Sequence, residues 1–139
     1  MRVILRTKSD SDTPILGAMF PGMVSAIEAA RKRQDVPVAA TDQDNADAAE
    51  RVPGSLAGST LTQIKIEQRP LRMVSIDGVA PSVETLESGA YPFSKTIYFV
   101  LPARKNSSAD GFVAFLRSPA GQAILRDAGN LMSPDPSKS

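Results

Sequence analysis

Short apolar runs and segments of helical periodicity alternate along the chain. Runs that are short and β-prone, or that alternate apolar with polar residues, are typical of strands. They predict strands at 2–5, 36–40, 54–60, 61–67, 71–76 and 96–101. Apolar residues that recur every three or four positions are typical of amphipathic helices. They predict helices at about 13–20, 23–33, 42–52, 83–87, 109–117 and 119–129.

Residues that commonly begin or end helices stand at several of these boundaries. Thr13 precedes a proline, and this pair suits an N-cap followed by the first helical position. Ser82 and Ser118 are expected to cap the helices that follow them. Gly129 is placed to end the last helix, because glycine readily adopts the left-handed conformation found after helix C-termini.

Strands interleaved with short helices predict an α/β fold. The chain has 139 residues, which suffice for one hydrophobic core, and we expect a single α/β domain over residues 1–131. Residues 132–139 are rich in serine and proline and are predicted to form a disordered tail. The N-terminus reads as a strand that begins abruptly and has none of the parts of a signal peptide. This leaves open a cytoplasmic protein or a fragment of a longer chain.

Composition narrows the chemistry that the chain can perform. The net charge is +1, so the overall balance favours neither nucleic acid nor a membrane surface as a partner. The chain has no histidine and no cysteine, which excludes imidazole bases, thiol nucleophiles and zinc sites built from those ligands. Asp42, Asp44 and Asn45 lack the spacing of a calcium loop and predict a solvated helix start. We therefore expect no enzymatic activity, no metal and no cofactor.

Three segments carry a resemblance to a known family. From Arg6 to Thr13, a predicted strand runs through a serine-rich turn into a helix. Residues 77–82 (Asp-Gly-Val-Ala-Pro-Ser) are followed by 89–93 (Gly-Ala-Tyr-Pro-Phe), and residues 115–124 read Phe-Leu-Arg-Ser-Pro-Ala-Gly-Gln-Ala-Ile. Together and in this order, they resemble the phosphate-binding proteins of ABC transporters, which are type II periplasmic binding proteins.

The resemblance covers most of the chain, but only the second lobe and the return segment of that family. It implies a three-layer lobe in which a mixed sheet is flanked by helices. It also implies a periplasmic solute-binding component that holds a small oxyanion and presents it to an ABC transporter permease. The first lobe and the signal peptide have no counterpart here, which favours the fragment interpretation. An isolated half would expose apolar surface, and this predicts a homodimer of the fragment.

The predicted ligand site lies at the first of these segments. A helix N-terminus offers backbone N–H groups and a positive dipole end to an anion. Ser11 and Thr13 would add hydroxyl donors, and Arg6 would add charge and a two-pronged donor. Asp12 stands where the family has glycine, and it would accept a hydrogen bond from a protonated phosphate. Ser55 lies in the stretch that takes the place of another family strand and is the fifth candidate ligand residue.

Other interpretations remain open. Plain helix capping explains the residues from 11 to 14 about as well as an anion site does. A sensor or regulatory domain that uses the same fold is the alternative function. A carboxylate-based enzyme is a third, and the sequence shows no pair of carboxylates at a suitable spacing for it.

Overall fold

The structure, a computed structural model, describes residues 1–133, which divide into two compact units. The first unit, Met1–Arg72, contains β1 (Arg2–Val3), β2 (Leu5–Arg6), α1 (Asp12–Met19), α2 (Met23–Arg31), β3 (Val38–Ala39), α3 (Asp42–Arg51), β4 (Ser55–Leu56) and α4 (Leu61–Ile66). The second unit, over residues 73–133, contains α5 (Val83–Glu87), α6 (Ser107–Arg117) and α7 (Pro119–Asp127).

The strands of the first unit are short and pair in parallel. The paired positions are Arg2 with Ser55, Val3 with Leu56, Leu5 with Val38 and Arg6 with Ala39. Between β1 and β2, the N–H of Ile4 donates to the carbonyl of Leu56 at 2.9 Å, and the N–H of Leu5 donates to the carbonyl of Pro37 at 3.0 Å. Consecutive N–H groups of an extended segment point to opposite edges. β3 and β4 therefore flank the segment from Arg2 to Arg6 on its two sides.

A small core holds α3 against these strands. Ile4 and Ala39 from the strands meet Ala49 from the helix, and all three are buried. Val52 and Leu71 pack against the edge of this cluster. Because the helix contributes mainly alanine, its backbone can lie close to the strands, and the core stays small.

The start of α3 is fixed by reciprocal hydrogen bonds. The hydroxyl of Thr41 accepts from the N–H of Asp44 at 3.0 Å, and the Asp44 carboxylate accepts from the N–H of Thr41 at 3.1 Å. Asp42 and Asp44 are exposed, as a solvated helix start requires. The same expectation is wrong for Asn45, which is 2% exposed and donates its side-chain amide to the carbonyl of Gly58 at 2.6 Å. This bond ties α3 to the chain beyond β4.

In the second unit, α5 begins as its sequence predicts. The hydroxyl of Ser82 accepts from the N–H of Thr85 at 3.1 Å, and the Thr85 hydroxyl accepts from the N–H of Ser82 at 2.9 Å. At the other end of α5, Arg126 of α7 donates to both carboxylate oxygens of Glu87, at 3.1 and 2.8 Å. These hydrogen bonds lower the pKa of the Glu87 carboxyl.

One residue, Ser118, joins α6 to α7. Its N–H donates to the carbonyl of Ala114 at the end of α6, and its hydroxyl accepts from the N–H of Gly121 at 3.2 Å in α7. The two helices are in close contact at Gly121. A Cβ added there would lie 2.2 Å from the carbonyl oxygen of Phe115 and 2.6 Å from the Cα of Leu116. Gly129 then ends the hairpin in the left-handed conformation, as predicted.

Three predicted strands are not strands in the structure. The first of these, 61–67, is helical instead: Leu61–Ile66 form α4, and Glu67 is its C-cap. The Thr60 hydroxyl caps the start of α4 by accepting from the N–H of Gln63 at 3.1 Å. Leu61 and Ile64 are three residues apart, so the apolar pattern fits a helical face as well as a strand. The runs at 71–76 and 96–101 belong to no named strand, apart from an antiparallel bridge between Ile76 and Val79.

The fold class is confirmed at its coarser level, a mixed α/β chain with small parallel strand pairs. The described strands form two parallel pairs and not one mixed sheet between helical layers. The single domain over residues 1–131 stays a prediction. Of the predicted tail, Met132 and Ser133 have no helix or strand, and residues 134–139 lie outside the described part of the chain.

The two glycines of the α6–α7 hairpin give a stability prediction. Gly121→Ala should lower the free energy of unfolding by at least about 2 kcal/mol, because the new methyl group would overlap the backbone of α6. Gly111→Ala, on α6, meets no atom within 4 Å and should raise it by up to about 1 kcal/mol through helix propensity. Urea unfolding followed by helical circular dichroism measures both. Equal effects of the two substitutions would contradict the close contact at Gly121.

Candidate anion site

A buried arginine lies at the end of β2. Arg6 is 6% exposed, and its Nη2 donates to Oδ2 of Asp10, in the turn that follows the strand. The same nitrogen lies 3.1 Å from Oδ1 of Asp42, at the start of α3. A buried guanidinium is costly unless it is paired and hydrogen-bonded. Two carboxylates from different elements therefore converge on one side of Arg6.

Asp10, which the sequence reasoning did not select, organises the turn before α1. Its Oδ1 accepts from the N–H of Asp12 at 2.8 Å, and its carbonyl accepts from the N–H of Thr13 at 3.1 Å. A side-chain carboxylate that accepts from the N–H two residues further on is a common turn-forming contact of aspartate. An aspartate two residues before the helix was the signal in the sequence. The carboxylate of Asp10 thus lies where an anion bound at the helix start would lie.

The predicted N-cap at Thr13 is wrong, because α1 begins one residue earlier, at Asp12. The hydroxyl of Thr13 instead donates back to the carbonyl of Thr7 at 2.9 Å. Ser11 occupies the cap position in a helical conformation, and its side chain makes no capping hydrogen bond. The amides of Asp12 and Thr13 already have acceptors, and Pro14 has no N–H. The first turn of α1 therefore offers fewer backbone donors than its sequence implies.

Two arginines at this turn keep buried donors that have no hydrogen-bond acceptor within residues 1–133. They are Nε of Arg31, and Nε and Nη1 of Arg6. A buried donor that lacks an acceptor costs about 1–3 kcal/mol, and more when it is charged. The third nitrogen of the Arg6 guanidinium, Nη2, pairs with Asp10 and Asp42.

A second arginine reaches the same turn from α2. Arg31 donates through Nη2 to the hydroxyl of Thr13 at 3.3 Å, and its Nε lies 3.7 Å from Oε1 of Glu28. Lys8 donates to the other oxygen of Glu28 at 3.0 Å. This hydrogen bond, helped by the positive charges of Lys8 and Arg31, lowers the pKa of the Glu28 carboxyl. Positive and negative side chains therefore alternate around the turn.

Four of the five predicted ligand residues come together, and one does not. Arg6, Ser11, Asp12 and Thr13 all lie at the junction between β2 and α1. Ser55 lies on β4, where its hydroxyl donates to the carbonyl of Ala49 at 2.7 Å and so closes the end of α3. The hydrogen bonds of Ser55 thus serve the structure of a different part of the first unit.

An open cleft of about 230 Å³ lies between α3 and α4. Its lining includes Asp42, Gln43, Thr60, Gln63 and Glu67. Two of these side chains are acidic, so the cleft itself does not favour an anion. Asp42 lines the cleft and also pairs with Arg6, which places the unsatisfied arginine beside it.

Comparisons with models of protein families, with curated proteins and with solved structures gave no match. The resemblance carried by the three sequence segments therefore stays a prediction. Within residues 1–133, His, Cys, Asp and Glu side chains form no group of three or more that could hold a metal ion. None of the helices in that range has the length and hydropathy needed to cross a bilayer.

The two carboxylates on Arg6 should differ in their effect on stability. Asp10→Ala removes the main partner of a buried charge and the acceptor for the N–H of Asp12, and should lower the free energy of unfolding by about 3 kcal/mol. Asp42→Ala removes a carboxylate that is 65% exposed and should cost less than about 1 kcal/mol. Urea unfolding of both variants measures the difference. A cost for Asp42→Ala equal to or above that for Asp10→Ala would contradict this assignment.

Proposed function

We propose that this chain binds a small oxyanion, phosphate or a close analogue, at Arg6 and the turn that follows it. The observation that carries the proposal is the buried guanidinium of Arg6, whose Nε and Nη1 have no acceptor. The two-pronged donors of a guanidinium are Nε with Nη2 and Nη1 with Nη2, and either pair matches two oxygens of a phosphate or a carboxylate. In Arg6, Nη2 is held by Asp10 and Asp42, so an anion that displaced Asp10 would accept from Nη2 and from one of the two unmet nitrogens.

The order of the strands supports the same location. The segment at 2–6 lies between β3 and β4. The chain goes from this segment first to β3, on one side of it, and then to β4, on the other side. In open α/β sheets, ligands bind outside the carboxyl ends of the strands, where the strand order reverses in this way. Arg6 is the last residue of the central segment and lies at that end.

In this proposal, the anion takes the place of the Asp10 carboxylate. It would then accept from Arg6 and from the N–H of Asp12, which both donate to Asp10 in the structure. Ser11 and Thr13 lie at the same junction, and the hydroxyl of Thr13 would have to turn from the carbonyl of Thr7 to donate to the anion. Ser55 has no part in this site, because its hydroxyl bonds to the end of α3.

The negative charge of Asp12 affects which anion the proposed site would prefer. Asp12 is in the first turn of α1, and its own N–H is one that the proposed anion would accept from. A carboxylate can accept a hydrogen bond from a protonated phosphate, whereas sulfate carries no proton at neutral pH and would be repelled. We therefore propose phosphate over sulfate as the ligand class.

The biological role that we propose is that of a solute-binding component of an ABC transporter. The chain would form the second lobe and return segment of a type II binding protein, with the three-layer lobe of that family, and would act in the periplasm. Closure of the lobes around the ligand is what the permease would sense. The mixed α/β fold and the three sequence segments support this role.

Calorimetric titration with inorganic phosphate tests the site. Because Asp10 competes for the same donors, Asp10→Ala should bind phosphate at least tenfold more tightly than the unchanged chain. Phosphate should also restore part of the stability that this variant loses. Asp42→Ala is the matched control and should gain little affinity, since Asp42 leaves the N–H of Asp12 untouched. Acetate and sulfate, titrated in parallel, distinguish phosphate from other anions.

The role of the Arg6 guanidinium is tested in a chain that also carries Asp10→Ala. Arg6→Lys keeps the positive charge but removes the two-pronged donor, and should weaken phosphate binding at least tenfold. Arg33→Lys makes the same change at an exposed arginine, paired with Asp35, and should leave the affinity unchanged. Absence of phosphate binding by both the unchanged chain and Asp10→Ala, or an Arg6→Lys variant that binds normally, would refute the proposal.

A further inference from the structure

The most β-prone run of the chain is exposed and unpaired. Residues 96–101 read Thr-Ile-Tyr-Phe-Val-Leu, and five of the six are large and apolar. None of their backbone N–H or C=O groups has a hydrogen-bond partner within the part of the chain that the structure describes. An apolar segment with a full row of unmet backbone donors and acceptors is the usual template for pairing with another strand.

One residue of this segment, Phe99, contacts α6. The ring of Phe99 meets the ring of Phe112 edge to face, with centroids 6.1 Å apart. Phe99 and Leu101 are 54% and 48% exposed, whereas Tyr98 and Val100 are 74% and 93% exposed. Over residues 98–101 this alternation is that of an extended strand, whereas Ile97 is 67% exposed. What the segment lacks is a neighbouring strand.

We propose that the 96–101 segment pairs antiparallel with the same segment of a second copy of this chain. A two-fold axis through Phe99 pairs Phe99 with Phe99 of the other copy and residue 97 with residue 101. In this register, paired residues point to the same face of the sheet, and those at 97–101 are all apolar. Tyr98 then lies across from Val100 of the other copy, an aromatic and β-branched pair of the kind that stabilises sheets. Pro102 has no N–H and ends the paired region.

The exposed apolar surface of this region approaches that of a standard interface. Aromatic side chains bury about 150–250 Å² each, so the exposed parts of these side chains come to on the order of 700 Å² per copy. The residues counted are Ile97, Tyr98, Phe99, Val100, Leu101, Phe112 and Phe115. A standard interface buries about 800 Å² per partner.

Sedimentation equilibrium of the full chain across a wide range of concentrations tests the proposal. The unchanged chain should approach the mass of two copies, and Val100→Lys should dissociate at least ten times more readily. Val24→Lys is the matched control, because Val24 is an exposed valine of α2 in the other unit, and it should dimerise normally. Helical circular dichroism should be the same for all three proteins, since both valines are largely exposed.

Hydrogen exchange gives a second measurement that does not depend on molecular mass. The amides of residues 97–101 should be protected at high concentration of the unchanged chain and unprotected in Val100→Lys. A single-copy mass at every concentration, assemblies larger than two copies, or a Val100→Lys variant that dimerises like the unchanged chain would each overturn the proposal.

Discussion

The first unit depends on how it holds one buried positive charge. Arg6 ends the central strand segment, and its guanidinium draws in the turn at Asp10 and the start of α3 at Asp42. Burial of an arginine is tolerated only where opposite charges and acceptors surround it. The turn, the first amide of α1 and the approach of α3 therefore form one electrostatic unit. The core beside it is small and is built from Ile4, Ala39 and Ala49.

Local hydrogen bonds were the part of the structure that the sequence predicted best. The caps at Ser82 and Ser118 and the glycine at Gly129 were predicted at the positions where the structure has them. Each involves groups within a few residues of one another, so composition and order suffice. The error at 61–67 has the same origin, because a short apolar pattern with one irregular step fits a helical face as well as a strand.

Contacts between distant segments were not accessible from the sequence. The sequence indicated a site at Arg6 and the turn to Thr13. It did not indicate that the Asp10 carboxylate accepts hydrogen bonds from Arg6 and from the N–H of Asp12. The burial of Asn45 depends on Gly58, thirteen residues away, and no local pattern indicates it. The run at 96–101 has strand propensity without a strand next to it, and pairing depends on a partner that propensity alone does not supply.

The connection between α6 and α7 does not allow an inserted residue without a change in the packing of the two helices. Ser118 closes one helix and opens the next, so no residue is spare between them. An α-helix has 3.6 residues per turn, and one inserted residue would rotate α7 by about 100° around its own axis. Gly121 would then leave the backbone of Phe115, and a side chain would take its place. An added residue should therefore be tolerated better in a segment such as 102–105, which lies before the cap of α6, than at this connection.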